Sequence, residues 1–208
     1  MSHRHSSVNL QLLCEQAVRL HQSGKTAEAE LLYKQILEIE PASFTANYLL
    51  GLIRFQHGQN AEALKLLDAA LRVNPGSAEA YTIYGLALQA ARRLEDAIAS
   101  FNKALAIKPG LMEALSNRGT VLHDLKRFEE ALASYDQALA IKPDFALAFY
   151  NRGITLQSLQ RFDEALTSYG RALAINPSYP DALRNRGSLL SVFGLFEKAL
   201  ADFTEPWQ

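Results

Sequence analysis

The chain has 208 residues, 49% of them hydrophobic, enough to bury a substantial core. Lys and Arg number 21 against 22 Asp and Glu, a net charge of -1, and each half is nearly balanced on its own, which excludes the basic footprint of a nucleic-acid or anionic-membrane binder. Cys14 is the one cysteine, so a disulfide framework and a cysteine-based metal site are excluded, and a reducing cytoplasm is the expected compartment.

Residues 1–9, MSHRHSSVN, lack the apolar run of a signal peptide, and no later apolar stretch approaches the length of a membrane span. This opening segment is expected to be disordered, and His3 and His5 are read as part of a frayed terminus rather than as metal ligands.

From Leu10 onward the chain is periodic. Five of its seven prolines, Pro41, Pro75, Pro109, Pro143 and Pro177, fall 34 residues apart. A period of that size marks one supersecondary unit copied in tandem, each copy burying its apolar face against the next. The repeats run 10–43, 44–77, 78–111, 112–145 and 146–179, with a shortened sixth over 180–208. Each reads as two helices, so the predicted fold class is an all-α solenoid of antiparallel helix pairs.

In the first helix of each repeat the eighth residue is Gly51, Gly85, Gly119, Gly153 and Gly187, with Ala17 in the first repeat. In the second helix the twentieth residue is Ala29, Ala63, Ala97, Ala131, Ala165 and Ala199. Glycine in a helix interior costs about 0.5–1 kcal/mol relative to alanine, so its recurrence requires a packing reason. The expectation is a close crossing of glycine on alanine. Its flanks would be filled by Leu88, Leu122, Leu156 and Leu190 on first helices and by Phe101, Tyr135, Tyr169 and Phe203 on second helices.

Between the two helices, the later repeats carry Arg127-Phe128-Glu129-Glu130 and Arg161-Phe162-Asp163-Glu164, acids placed at the positive end of the second helix. That helix is predicted to stop at Ile107-Lys108-Pro109 and Ile141-Lys142-Pro143, because proline disfavours helical geometry in the residue before it.

Successive helical residues rotate by about 100°, which points the sixth residue of a repeat away from the eighth and toward a groove. The last three repeats place Asn117, Asn151 and Asn185 there, each within an Asn-Arg-Gly triplet. Asparagine offers both a donor and an acceptor, so an aligned ladder can bond successive peptide units of an extended chain. The same residues could instead join neighbouring repeats, and both readings stand. Arg118, Arg152 and Arg186 are expected to pack by their stems with solvated heads. Around the sixth position the early repeats offer Leu49, Leu52, Ile83 and Leu86. The later ones offer Glu113, Thr120, Asp124, Ser158, Asp181 and Ser188, so a two-toned groove is expected. Tyr48 and Phe55 either extend its apolar end or pack on the preceding repeat.

The order Gly-Ala-aromatic-Ala-Pro at fixed offsets, with Ala104, Ala138 and Ala172 matching as well, resembles the tetratricopeptide repeat over about residues 10–205. The first repeat departs from it at Ile36 and the sixth at Pro206, where the second to fifth have alanine. The resemblance implies a right-handed superhelix whose first helices line a concave groove for peptides or partner proteins. The asparagines look like the ladder on the repeat superhelix of O-linked N-acetylglucosamine transferases. The family's carboxylate clamp is not matched, since the ninth residues, Val18, Leu52, Leu86, Thr120, Ile154 and Ser188, include no asparagine.

Enzymatic motifs are wanting. Gly24-Lys25-Thr26 imitates the end of a phosphate-binding loop, but the glycine required five residues earlier is Arg19. His21, His57 and His123 lie a repeat or more apart, without a second ligand at helical spacing. The expected function is therefore a non-catalytic scaffold without cofactors that binds a protein or extended peptide. The alternative is the substrate-recruiting amino-terminal part of a larger glycosyltransferase. Phe193, Phe196 and Phe203, followed only by Glu205-Pro206-Trp207-Gln208, suggest end-to-end homodimerisation through the sixth repeat.

Overall fold

The computed structural model describes residues 2–194 and, of residues 2–9, the backbone alone. The described residues form eleven helices: α1 (Ser2–Gln22), α2 (Thr26–Ile39), α3 (Phe44–Gln56), α4 (Asn60–Val73), α5 (Ala78–Ala90), α6 (Leu94–Ile107), α7 (Met112–Asp124), α8 (Phe128–Ile141), α9 (Ala146–Ser158), α10 (Phe162–Ile175) and α11 (Pro180–Val192). Composition suggests disorder over residues 2–9, yet their backbone is helical. Extending an existing helix adds a hydrogen bond for each residue fixed, which makes this continuation inexpensive. The chain divides between Pro109 and Gly110 into two compact halves. The first stacks three hairpins, α1–α2, α3–α4 and α5–α6, and the second stacks α7–α8, α9–α10 and α11.

Every first helix ends on a left-handed residue at the fifteenth repeat position. These are Gly24 (φ +79°), Gly58 (+73°), Arg92 (+60°), Lys126 (+60°), Gln160 (+59°) and Gly194 (+71°). Arg92 donates its N–H to the Gln89 carbonyl and Arg93 to the Leu88 carbonyl, both at 2.9 Å. This pair of bonds is a Schellman ending, which absorbs carbonyls the helix leaves unpaired. Gly24-Lys25-Thr26 lies at this turn rather than in a phosphate-binding loop.

The second helix then starts on an ion pair. Arg93 meets Asp96 at 2.8 Å, Arg127 meets Glu130 at 2.7 Å and Arg161 meets Glu164 at 2.6 Å, all spaced i,i+3. The neighbouring arginines hold the Glu130 and Glu164 carboxyls below the usual carboxylate range. At the other end, Lys108, Lys142 and Asn176 leave helical geometry with ψ of +87°, +92° and +92°, each directly before proline.

Packing inside the hairpins corrects the expected crossing of glycine on alanine. A Cβ placed on Gly85, Gly119 or Gly153 would lie 2.6 Å from Cε1 of Phe101, Tyr135 or Tyr169, so the nearest neighbour is the ring of the hairpin's own second helix. A flat ring needs a floor without a Cβ to lie against the helix backbone. Gly51 faces the Leu67 side chain in the same way, with Cγ at 2.9 Å. The twentieth-position alanines Ala29, Ala63, Ala97, Ala131 and Ala165 are fully buried.

In the first half a charged group is also buried. Arg54 on α3 donates to Glu30 on α2 through both terminal nitrogens, at 3.1 and 2.5 Å, and its Nε lies 3.1 Å from Glu62 on α4. Three helices are thereby tied to one guanidinium. Hydrogen bonds from Arg54 and Lys34 pull the Glu30 carboxyl down to about 2.

Candidate functional site

The second, sixth, ninth and thirteenth residues of a repeat follow i, i+4, i+7 and i+11, one stripe along the first helix. On α7 the stripe is Glu113, Asn117, Thr120 and Asp124, with the two acids exposed and the inner pair half-buried. On α9 it is Leu147, Asn151, Ile154 and Ser158, again open at both ends and half-buried between. On α11 Asp181 and Asn185 are half-buried, whereas Ser188 and Val192 are exposed. The third and eighth residues of the same helices, Ala114, Gly119, Ala148, Gly153, Ala182 and Gly187, are buried. The stripe is thus the open face of each first helix.

The three asparagines are not equivalent. Among the described residues the side-chain amides of Asn117 and Asn151 have no hydrogen-bond partner. Asn185, in contrast, donates from Nδ2 to the Tyr150 hydroxyl on α9 at 3.3 Å. Tyr150 is held in turn by ring contacts with Tyr179 at 4.9 Å and Tyr169 at 6.1 Å. Asn185 therefore joins two repeats, while the other two amides remain available.

On α3 and α5 the inner positions of the stripe are apolar. Leu49 and Leu52 on α3 and Ile83 and Leu86 on α5 are half-buried. Leu49 leans on the core shared by α1, α2 and α3, which includes Ala17, Tyr33 and Leu50. Tyr48, Phe55 and Ile83 pack on Ala63, Leu67 and Ala87, toward the following elements rather than the preceding repeat. Tyr48 also stacks on Phe44, with ring centroids 5.7 Å apart and planes within 4°.

The arginines beside the asparagines differ from expectation. Arg118 donates from Nε to Ser134 Oγ at 3.1 Å and from Nη2 to Gln137 Oε1 at 3.2 Å. Arg152 donates to Asp136 Oδ1 and to Ser168 Oγ, both at 2.8 Å. Their heads are seated on second helices instead of in solvent, because Ser134 and Ser168 supply buried acceptors there. Arg186 also has an interaction partner.

Sequence reading missed a buried polar link between α7 and α9. His123 Nδ1 lies 3.0 Å from Thr155 Oγ1, and that hydroxyl donates to the Asn151 carbonyl at 2.9 Å. With the hydroxyl proton so used, His123 Nδ1 is the donor to Thr155. Burial pushes the His123 imidazole below its ordinary value and the Tyr135 phenol beside it up to about 12. The available signal was Thr155 itself, at a position where the first repeat carries Arg19 and the second, third, fourth and sixth carry Ile53, Ala87, Val121 and Leu189.

Among the described residues no group of three or more His, Cys, Asp or Glu side chains gathers as metal ligands would. No helix there is long and apolar enough to cross a membrane. The candidate association surface rests on Phe193, Phe196 and Phe203, of which Phe196 and Phe203 lie outside the described residues. Phe193 is about half exposed and meets Phe162 edge-on at 5.4 Å.

Family models for the tetratricopeptide repeat match residues 14–72, 48–111 and 146–179, and a related TPR repeat model matches 119–160. Compared with curated protein sequences, the chain has no match. Among solved structures it is similar to YrrB, described as a TPR protein with an unusual peptide-binding site, at 24% identity and a TM-score of 0.74, covering 84% of this chain and 90% of that one. It is similar to MamA from Desulfovibrio magneticus RS-1 at 21% identity and a TM-score of 0.71, covering 78% and 92%. The Pseudomonas aeruginosa protein pilF matches at 19% identity and a TM-score of 0.79, covering 93% and 88%. With the 34-residue period, the paired helices and the glycine-seated rings already in place, these matches show that the chain belongs to the tetratricopeptide repeat family.

Proposed function

We propose that this chain is a non-catalytic scaffold that holds an extended polypeptide against the open stripe of its first helices. The observation that carries the reading is the pair of unpartnered amides, Asn117 and Asn151, at one register on α7 and α9. A side-chain amide can donate to one peptide carbonyl and accept from one peptide N–H, so binding of this kind tolerates many sequences. The half-buried Leu49, Leu52, Ile83 and Leu86, with Tyr48 beside them, offer apolar contact on the first half. Exposed Asp124 and Ser158 supply polar ends to the stripe on the second. The peptide-binding site named for YrrB supports the same reading by analogy of fold.

The test is fluorescence anisotropy with peptides selected from a random library. Each lost amide bond costs about 0.5–1.5 kcal/mol, so Asn117→Ala with Asn151→Ala should weaken binding about tenfold or more while leaving helical content unchanged. Asn185→Ala should cost less in affinity and more in stability, because its amide is already committed to Tyr150. Unchanged affinity in the double variant would move the site off these helices.

A further inference from the structure

A cleft of about 180 Å³ opens between α5 and α6, lined by Tyr81, Tyr84, Leu88, Arg93, Asp96, Ala99, Ser100 and Lys103. Its position in the repeat identifies what fits it. Tyr84 is the seventh residue of its repeat, the place taken by Arg118 and Arg152 in the two repeats that follow. Both arginines lie across their own hairpins, and both reach the serine at the twenty-third position, Ser134 or Ser168. Arg152 also reaches Asp136, the twenty-fifth residue of the repeat before it.

The third repeat keeps this seat without its arginine. Ser100 corresponds to Ser168, Asp68 to Asp136, Asp96 to Glu164 and Tyr81 to Phe149. Ser100 donates its proton to the Tyr81 carbonyl at 2.8 Å, which leaves its oxygen as an acceptor, as Ser134 is while it donates to the Glu130 carbonyl. We infer that this cleft binds an arginine side chain of a protein or peptide partner, receiving its guanidinium as the later repeats receive their own. The Tyr81 and Tyr84 rings add faces on which a planar cation can stack.

Two cations border the cleft. Arg93 is neutralised by Asp96 at 2.8 Å, and the Lys103 ammonium lies 5.4 Å from the Tyr81 ring centroid. Lys103 occupies the place of Arg171, whose charge does not keep Arg152 from its seat. Asp68 pairs with Arg72 across an exposed i,i+4 contact of 2.6 Å, which leaves its second carboxylate oxygen for a further donor. The site uses the fourth, seventh, nineteenth, twenty-third and twenty-sixth positions of its own repeat and the twenty-fifth of the repeat before it, none of which belongs to the peptide stripe.

The experiment is amide-resolved NMR of the full chain titrated with N-acetyl-arginine N-methylamide, with its uncharged citrulline analogue and with acetate. The arginine probe should produce saturable shifts at Tyr84, Asp96 and Ser100, and the citrulline analogue should bind about tenfold more weakly, the worth of one charge-assisted hydrogen bond. Tyr84→Arg fills the seat from within and should abolish these shifts. Asp68→Asn, an isosteric change at a half-buried side chain, should weaken the probe about tenfold while leaving the helical content unchanged. Asn117→Ala should leave it unaffected. The proposal is overturned by an absence of saturable shifts at those amides, by equal response to citrulline, by stronger response to acetate, or by wild-type affinity in Asp68→Asn.

Discussion

The two halves of this chain share one backbone period and differ in what they place on it. In the first half the sixth and ninth positions on α3 and α5 are apolar, a buried guanidinium ties α2, α3 and α4 together, and two of the three helix-to-helix turns carry glycine. In the second half the stripe on α7 and α9 carries asparagines, Arg118 and Arg152 each sit on their own hairpin's serine, and the turns of the two complete hairpins hold Lys126 and Gln160 in left-handed geometry. The repeat conserves the positions where helices touch and leaves the remaining positions open to different chemistry. Packing is therefore carried by one subset of each 34-residue unit, and the proposed peptide stripe lies on another.

The largest expected effect tests the packing both halves share. Gly119→Leu forces a side chain into the space of the Tyr135 ring, and it should cost about 3 kcal/mol, against no more than about 0.5 kcal/mol for the half-exposed Asn151→Ala. Urea unfolding of both variants measures it, and equal midpoints would remove Gly119 from the crossing.

Next comes the charged centre of the first half. Arg54→Met leaves Glu30 short of its main partner and should cost about 2 kcal/mol. Arg152→Met, whose partner Asp136 is more than half exposed, should cost about 1 kcal/mol or less. Acid reports the same centre. The Glu30 carboxyl is held at about 2, below its ordinary 4.5, so its contribution is complete above 4.5 and is lost as pH falls from there toward 2. Hydrogen-exchange protection factors at α2 and α3 should fall across that window in wild type and change less in Arg54→Met.

Turn geometry offers a smaller contrast of opposite sign. Lys126→Gly and Gln160→Gly relieve left-handed strain and should each stabilise by about 1 kcal/mol, whereas Gly58→Ala should destabilise by about the same amount. A thermal melt showing no gain at Lys126 or Gln160 would mean that the Schellman bonds already offset the strain.

The smallest effect separates the halves by pH. His123 is held neutral by burial, with its value lowered from 6.5. The unfolded chain binds that proton first, so the stability His123 contributes above 6.5 declines as pH falls through its lowered value. Exchange in α7 and α9 should respond to mild acid before exchange in α2 and α3 does. His123→Gln should remove the early response, and the reverse order would contradict the assignment.

Much of this was legible in the residues alone. The proline period divided the chain, the recurring glycines and aromatics marked the packed faces, and the arginine-acid tetrapeptides marked where second helices begin. These signals are local or strictly periodic, and a helix converts spacing into direction by its own geometry. The terms of contact between elements were not legible in the same way. Glycine recurs opposite both alanine and an aromatic, and only the packed hairpin shows that the ring occupies the space. Asn117, Asn151 and Asn185 are identical by register, yet a tyrosine 35 residues earlier engages Asn185 alone. Arg152 and Tyr84 share one position, and the difference between a filled seat and an open cleft depends on side chains from three helices meeting at one point. Period and propensity determine which face a residue occupies. Its partner across that face is set by the rotamers and volumes of neighbours distant in sequence, which take definite form only when the hairpins are stacked.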